Sequence, residues 1–497
     1  MLRWSIGLLA AIVLCVGIAI KMLPSDSAQA AEGGKAPRPN VIVILADDMG
    51  YADMSAYGFE RISTPNIDRI GKEGARFTDG YASAPVCSPS RAGLQTGRYQ
   101  QRFGFEFNNG GVQRDIAENL GIDVNEITIA QALQAEGYHT GMVGKWHMGS
   151  NDQFYPMKRG YQEFVGFLSG ATPYMASNTP GYVDWTIPGA DTGAGEGIDK
   201  AGLRGSSNAI YEGPDKKRVN NENQYLTDYF GDRAVEFVTR NAKADAPYFL
   251  YLAFNAPHSP FQVTQKYYDR FPQIEDKQMR VYAAMISALD DQVGRVLDAV
   301  DKSGEGDNTM VVFLSDNGCA SYIPGLCSCE PLRGGKLTQY EGGVRVPFMI
   351  RWPDAIKADS WFREPVSTLD IFPTTLAAAG GALAKDRAYD GVDLLPFLTG
   401  AKKGPPHDAL YWKREPLLSI RKGDWKLWKH TKGDYTMLFN LAEDPNEKHN
   451  LAARHPDKVK ELEDAIETWR KDLSDPRWPT KSMVTYDVCG TPMTVPV

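Results

Sequence analysis

Proton carriers and soft metal ligands are scarce in this sequence: 497 residues hold seven histidines and six cysteines. Each can therefore be judged by its own setting. Cations do not predominate either. Lysine and arginine number 54 against 62 acidic residues, a net charge of −8, so no broad basic face is implied and nucleic acid is excluded as a partner. The one long apolar run, from Ile6 to Ile20, is about 15 residues, short of the ~20 that a membrane-spanning helix needs. There is no pair of C-x-x-C motifs of the kind that frames a zinc site. There is also no internal repeat and no low-complexity tract, which excludes solenoids and compositionally biased tails.

What is present reads as an ordinary globular protein, 42% apolar and 23% charged, long enough for about two to four domains. Near the N-terminus a basic residue, Arg3, precedes the apolar run, and Ala28-Gln29-Ala30 follows it. That order predicts a secretory signal over residues 1–30 and a periplasmic or secreted mature chain. An uncleaved anchor is the alternative, and this segment is the one expected attachment to a membrane.

Hydrophobic patterning predicts an α/β fold. Asn40–Ala46, Ala246–Phe254 and Thr309–Leu314 are continuous apolar runs of the kind buried on both faces of a parallel sheet. Amphipathic stretches at Ile127–Glu136, Asn223–Asn241 and Met279–Lys302 predict helices between them. Residues 150–222, rich in Gly, Asn, Pro and Tyr, read as long loops shaping a cleft. A composition shift near Thr399–Pro406 divides a catalytic domain, 31–398, from a small C-terminal α+β part, 399–497. In that part, short strands predict an antiparallel sheet, and a helix is expected at about Pro456–Leu473.

The polar signals follow apolar strands: Asp47-Asp48, Pro257-His258 and Asp316-Asn317. In open parallel sheets, ligands bind beyond the carboxyl ends of strands, so these pairs can converge on one pocket. Asp47, Asp48, Asp316 and Asn317 offer hard oxygen donors that suit Ca²⁺ or Mg²⁺ and not zinc. An Asp after a strand is also a common helix cap, but two such acidic pairs in one chain favour a metal. Cys87-Ser88-Pro89-Ser90-Arg91 forms a sharply defined stretch leading to Thr96-Gly97-Arg98. Gly144-Lys145-Trp146-His147 and Arg333-Gly334-Gly335-Lys336 are glycine-flanked, which permits close backbone approach to a ligand. If the chain stays extended, Lys145 and His147 project to the same side. His139, His407, His430, His449 and His455 have no such setting and are assigned no role. Trp412, Trp425 and Trp428 read as core or surface aromatics, one of which could stack on a sugar.

Together these strings resemble the type I, formylglycine-dependent sulfatases, in that family's order and over about residues 38–452. The resemblance extends to Asn440-Leu441-x-x-Asp444-Pro445. It implies an alkaline-phosphatase-like fold, with a mixed, mostly parallel sheet between helices. It implies calcium-dependent hydrolysis of sulfate esters, with Cys87 converted to Cα-formylglycine by a separate formylglycine-generating enzyme. The implied metal ligands are Asp47, Asp48, residue 87, Asp316 and Asn317, and the implied pocket residues are Arg91, Lys145, His147, His258 and Lys336. On that basis Lys145 and Lys336 would meet the sulfate oxygens, where fixed cations stabilise transferring charge. His258 would protonate the leaving alcohol and His147 would assist sulfate release. Sulfated polysaccharides or their oligosaccharides are the expected substrates.

Two alternatives follow from the same residues: a phosphonate monoester or phosphodiester hydrolase using the same nucleophile, and a non-catalytic polysaccharide-binding protein. With Cys87 modified and Cys15 in the signal, Cys319, Cys327, Cys329 and Cys489 remain. They allow three disulfide connectivities, of which Cys319–Cys327 with Cys329–Cys489 is favoured over zinc binding.

Overall fold

In the computed structural model, the run Asn40–Ala46 is a central strand, paired in parallel with Thr309–Ser315 on one side and Tyr248–Ala253 on the other. All seven of its residues are buried. Strand side chains alternate, so Val41, Val43 and Leu45 enter one core while Ile42, Ile44 and Ala46 enter the other. That is why the sequence reads as an unbroken apolar run. The structure describes residues 38–186, 204–328, 330–433 and 435–497. The expected signal over residues 1–30 lies outside them.

The parallel core continues through His139–Lys145 and Glu163–Phe167. Antiparallel strands close its flanks: Phe348–Arg351 against Thr309–Ser315, and Ile210–Glu212 against Glu163–Phe167. Among the described residues the sheet has ten strands. Helices Leu226–Asn241 and Lys277–Lys302 bury their apolar stripes on one face. Cys87–Thr96, Ile129–Ala135 and Ile371–Ala378 cover the other. Each fully buried Val, Leu or Ile contributes about 1.5–3 kcal/mol. The two-sided core is therefore ample to fix the strand ends in place.

Two sequence-based expectations change. The stretch 150–222 is not all loop: it holds Glu163–Phe167, Tyr182–Trp185, Ile210–Glu212 and Lys217–Val219. These strands are short and interrupted by turn residues, so their pairing comes from distant partners and not from a local pattern. The second change concerns Lys145, which ends its strand. His147 has φ 57°, so the extended alternation stops before it.

At the C-terminus, Leu410–Arg414, Leu417–Lys422, Trp425–His430 and Tyr435–Asn440 form an antiparallel four-stranded sheet. Helix Pro456–Arg470 packs Leu462 and Ile466 on Leu418, Ile420, Leu427 and Leu438. The opposite side of this sheet, with the hairpin Met483–Val488 and Thr491–Pro496, packs on Val86, Leu337 and Tyr340. Trp428 is buried in these contacts, and Trp412 is buried in a separate cluster with Tyr81 and Val344. Residues 38–497 cluster as one compact unit.

Candidate active site

Four neighbouring parallel strands deliver polar residues to one edge of the sheet. Asp47 and Asp48 follow Asn40–Ala46, Lys145 ends His139–Lys145, and Asp316 and Asn317 follow Thr309–Ser315. His258 lies on the turn after Tyr248–Ala253. Cys87 opens the fully buried helix Cys87–Thr96, which ends at Gly97 in the left-handed conformation that favours glycine. Lys336 arrives on the 333–340 loop, its backbone N–H donating to the Cys319 carbonyl at 2.8 Å.

The ten residues singled out by sequence meet here. The Cys87 thiol donates to Asp47 Oδ1 at 3.4 Å and to Asp48 Oδ1 at 3.7 Å. Arg91 donates through Nε to Asp316 Oδ2 at 2.9 Å and lies 3.6 Å from Asp47 Oδ1. Lys145 Nζ donates to Asp47 Oδ2 at 2.6 Å, and Lys336 Nζ to Asp48 Oδ2 at 2.8 Å. Asn317 Nδ2 donates to Asp48 Oδ1 at 2.8 Å. Asp48, with φ 64°, turns its own N–H to Asp316 Oδ1 at 3.2 Å. His147 sits over Gly170, where an added Cβ would come within 2.8 Å of the ring.

The charges balance: carboxylates at Asp47, Asp48 and Asp316 oppose cations at Arg91, Lys145 and Lys336, all buried. Burial alone would lift the Asp47 carboxyl, but Lys145, His258 and Arg91 outweigh it and hold it below the ordinary range. Asp48 is likewise held low against burial, chiefly by Lys336. Burial opposes the Lys336 charge, yet Asp48 raises its pKa well above the ordinary lysine value. Burial, then the Asp316 carboxylate, pushes the Cys87 thiol well up, so it stays protonated. Burial and Lys145 push the His147 imidazole well down. His258 is lowered by burial and Lys336. Its Nδ1–H donates to the Ser259 carbonyl at 2.6 Å, so its Nε2 accepts from Lys336 Nζ at 3.1 Å.

The donor set fits a hard cation. Ligand atoms of Asp47, Asp48, Cys87 and His258 lie within 4.8 Å of one another. Asn317 Oδ1 is buried with no hydrogen-bond partner among the described residues, which leaves an amide oxygen to ligate. Sequence reasoning passed over Ser88. Its hydroxyl lies 2.8 Å from Asn109 Oδ1 and donates to the His147 carbonyl at 2.7 Å, tying the Cys87 stretch to the histidine.

Comparison with known proteins accounts for this arrangement. Residues 39–382 match the family described as Sulfatase, and residues 335–472 match the N-sulphoglucosamine sulphohydrolase C-terminal family. The chain belongs to the sulfatase family. The sulfatase is 30% identical to N-acetylgalactosamine-6-sulfatase of Canis lupus familiaris over 490 residues, covering 89% of this chain and 87% of that one. It is 33% identical to arylsulfatase G of Rattus norvegicus over 457 residues, covering 85% and 84%. Among solved structures it resembles Ps i-CgsB in complex with k-i-k-neocarrahexaose, with 34% identity, a TM-score of 0.78, and 89% and 95% coverage. The sulfatase is therefore a sulfuric ester hydrolase with the alkaline-phosphatase-like fold.

The cysteines follow the sequence in part. Cys319 and Cys327 form a disulfide. Cys489 is also disulfide-bonded, while Cys329 lies outside the described residues. Among the described residues, no helix is long and apolar enough to cross a membrane.

Proposed function

We propose that this sulfatase removes sulfate esters from carbohydrates, using a Ca²⁺ ion and a formylglycine made from Cys87. The single observation that carries the proposal is the buried cluster around Cys87: two carboxylates within 3.7 Å of its sulfur, backed by Arg91, Lys145 and Lys336. The names of N-acetylgalactosamine-6-sulfatase and of the neocarrahexaose complex support a sugar substrate.

The hydrated formylglycine would supply an oxygen nucleophile and the ion a Lewis acid toward the sulfate. The chain's own groups do the rest. Asp47, Asp48, Asp316 and Asn317 Oδ1 would hold the cation. Lys145 and Lys336 each give one N–H to a carboxylate, and an ammonium has three. Lys336 gives a second to His258 Nε2, and the donors that remain would face the sulfate oxygens, where they would stabilise the charge of the transferring group. His258 and Lys336 hold between them the proton that the departing alkoxide needs. His147, anchored by Ser88, stands beside residue 87 for sulfate release. The Cys319–Cys327 disulfide supports export to an oxidising compartment, periplasmic or extracellular. Maturation then requires a formylglycine-generating enzyme.

Peptide mass spectrometry across Cys87 tests this reading, on protein coexpressed with that enzyme. Conversion lowers the peptide mass by about 18 Da. The converted protein should hydrolyse 4-nitrophenyl sulfate, N-acetylgalactosamine 6-sulfate or carrageenan oligosaccharides, and Cys87→Ala should lose about 10⁴-fold or more in kcat/KM. An unmodified thiol in fully active enzyme would sink the formylglycine claim. Turnover of phosphonate monoesters alone would move the assignment to a phosphonate hydrolase.

A further inference from the structure

Arg414 ends the strand Leu410–Arg414 in the C-terminal sheet. It is 1% exposed, and among the described residues none of its three guanidinium nitrogens has a hydrogen-bond partner. Other buried arginines differ. Arg91 is paired with Asp316 at 2.8 Å. Arg204 donates to Asn221 Oδ1 at 2.6 Å and to the Pro173 carbonyl at 3.1 Å. Neighbouring cations of the same sheet are also paired: Lys413 with Glu106, Arg421 with Asp79, and Lys426 with Glu341 and Glu447. Glu106 is the acid whose charge reaches Arg414, but its oxygens bond to other donors. One oxygen takes Lys413 Nζ and the other the Glu415 N–H at 2.7 Å. Burial pushes the guanidinium down to about 9, which still leaves it charged at neutral pH.

The unpaired charge sits on a strand end that adjoins the Cys87 stretch. Cys87 is within its electrostatic reach, as is Tyr486, whose hydroxyl donates to the Lys336 carbonyl at 3.0 Å. The strand end is tied to the pocket on both sides. Gln339 donates to the carbonyl of Leu417, the strand partner of Arg414, at 3.2 Å, and Gln101 donates to the Lys413 carbonyl at 2.6 Å. Leu417 and Val86, the residue before Cys87, share one apolar cluster. An uncompensated buried cation is costly, and a guanidinium fork matches the paired oxygens of a carboxylate or a sulfate.

We propose that Arg414 binds a second anionic group of the substrate, a carboxylate or a further sulfate carried near the ester being cleaved, so that the preferred substrate is a polyanionic carbohydrate. This rests on the carbohydrate-sulfatase reading above. The substrate anion supplies the counter-charge that the protein withholds.

The test compares wild type, Arg414→Gln and Arg414→Met on N-acetylgalactosamine 6-sulfate, on its 4,6-disulfate, and on a disaccharide joining the 6-sulfated sugar to a uronate. Wild type should prefer one of the two doubly anionic probes, and which one identifies the second anion. Arg414→Gln should lose about 30- to 1,000-fold in kcat/KM on that probe, and at least tenfold less on the monosulfate. Arg414→Met should melt no lower than wild type, because it removes an unpaired charge. Equal losses on all three probes, with a melting temperature several degrees lower, would mark a structural residue and overturn the proposal. So would no loss on any probe. If converted wild type cleaves no sulfate ester, the sulfatase reading fails by itself. Calorimetric binding of the same probes to Cys87→Ala then decides: tenfold weaker binding on adding Arg414→Gln supports the Arg414 site, and unchanged binding overturns it.

Discussion

Asn317 shows how one side chain can serve two purposes at the sheet edge. Its Nδ2 donates to Asp48 Oδ1 and to the Gly318 carbonyl, both at 2.8 Å. That fixes the amide plane and points Oδ1 into a buried position with no donor. An unsatisfied buried oxygen costs free energy unless something completes it, and a cation does so among three carboxylates. Added Ca²⁺ should therefore raise the melting temperature of EDTA-treated wild type, because a ligand bound only by the native state stabilises it. Asn317→Ala should need about 10- to 100-fold more Ca²⁺ for the same shift. Identical calcium titrations for the two proteins would remove Asn317 from the metal site.

Among the elements, the loop that carries Cys319 links both sides of the pocket. It begins directly after Asn317-Gly318, and its Cys319 carbonyl takes the Lys336 N–H. The Cys319–Cys327 disulfide, with a sequence separation of 8, removes about 2–3 kcal/mol of chain entropy from the unfolded state. The double variant Cys319→Ser/Cys327→Ser should melt lower and lose kcat, since the Lys336 anchor loosens. Undiminished stability and kcat would show that the bridge is dispensable.

A second element depends on pH. His407 Nε2 lies 2.8 and 3.0 Å from the two Asp370 oxygens, and Asp370 also takes the Ser367 and Val392 N–H groups. Burial works against the imidazolium, but Asp370 outweighs it and raises the pKa above the ordinary 6.5. A raised folded pKa means that the native state binds the extra proton. The stabilisation is fully present below about pH 6.5 and is lost as pH rises through the folded value. His407→Gln should therefore narrow the stability gap to wild type on going from about pH 6 to about pH 9, as read by thermal melts. A constant gap would contradict this linkage.

The whole molecule is stitched together through the C-terminal sheet. Val86 packs with Leu417, Trp428 and Val495. Lys426 is buried between Glu341 at 2.8 Å and Glu447 at 3.1 Å, and Glu341 also accepts from Tyr81. Cutting the chain after residue 398 would strand Glu341 without Lys426 and expose the apolar side of Val86, Leu337 and Tyr340. Residues 38–398 alone should therefore give no cooperative melt, while the full chain should unfold in a single calorimetric transition. A well-behaved truncated protein with bound Ca²⁺ would show that the sheet is an appendage.

Much of the site was legible because its residues sit in short strings. Asp47-Asp48 and Asp316-Asn317 end strands whose runs are apolar throughout, since both faces of a central parallel strand are buried, and the first polar residues after such a run must lie at the sheet edge. Cys87 to Arg91 and the glycine-flanked lysines were visible for the same local reason. The sequence by itself therefore determined the α/β class, the Cys87 stretch and the acidic strand ends. Tertiary structure alone decided the rest. Glu163–Phe167 became a sheet member because His139–Lys145 offered it an edge. His258 became an acceptor because Ser259 and Lys336 hold its two nitrogens in opposite roles. Arg414 became an unpaired charge because its neighbour Lys413 took Glu106. Pairing, burial and charge balance are properties of contacts between distant segments, and no local pattern encodes which partner a buried charge will find.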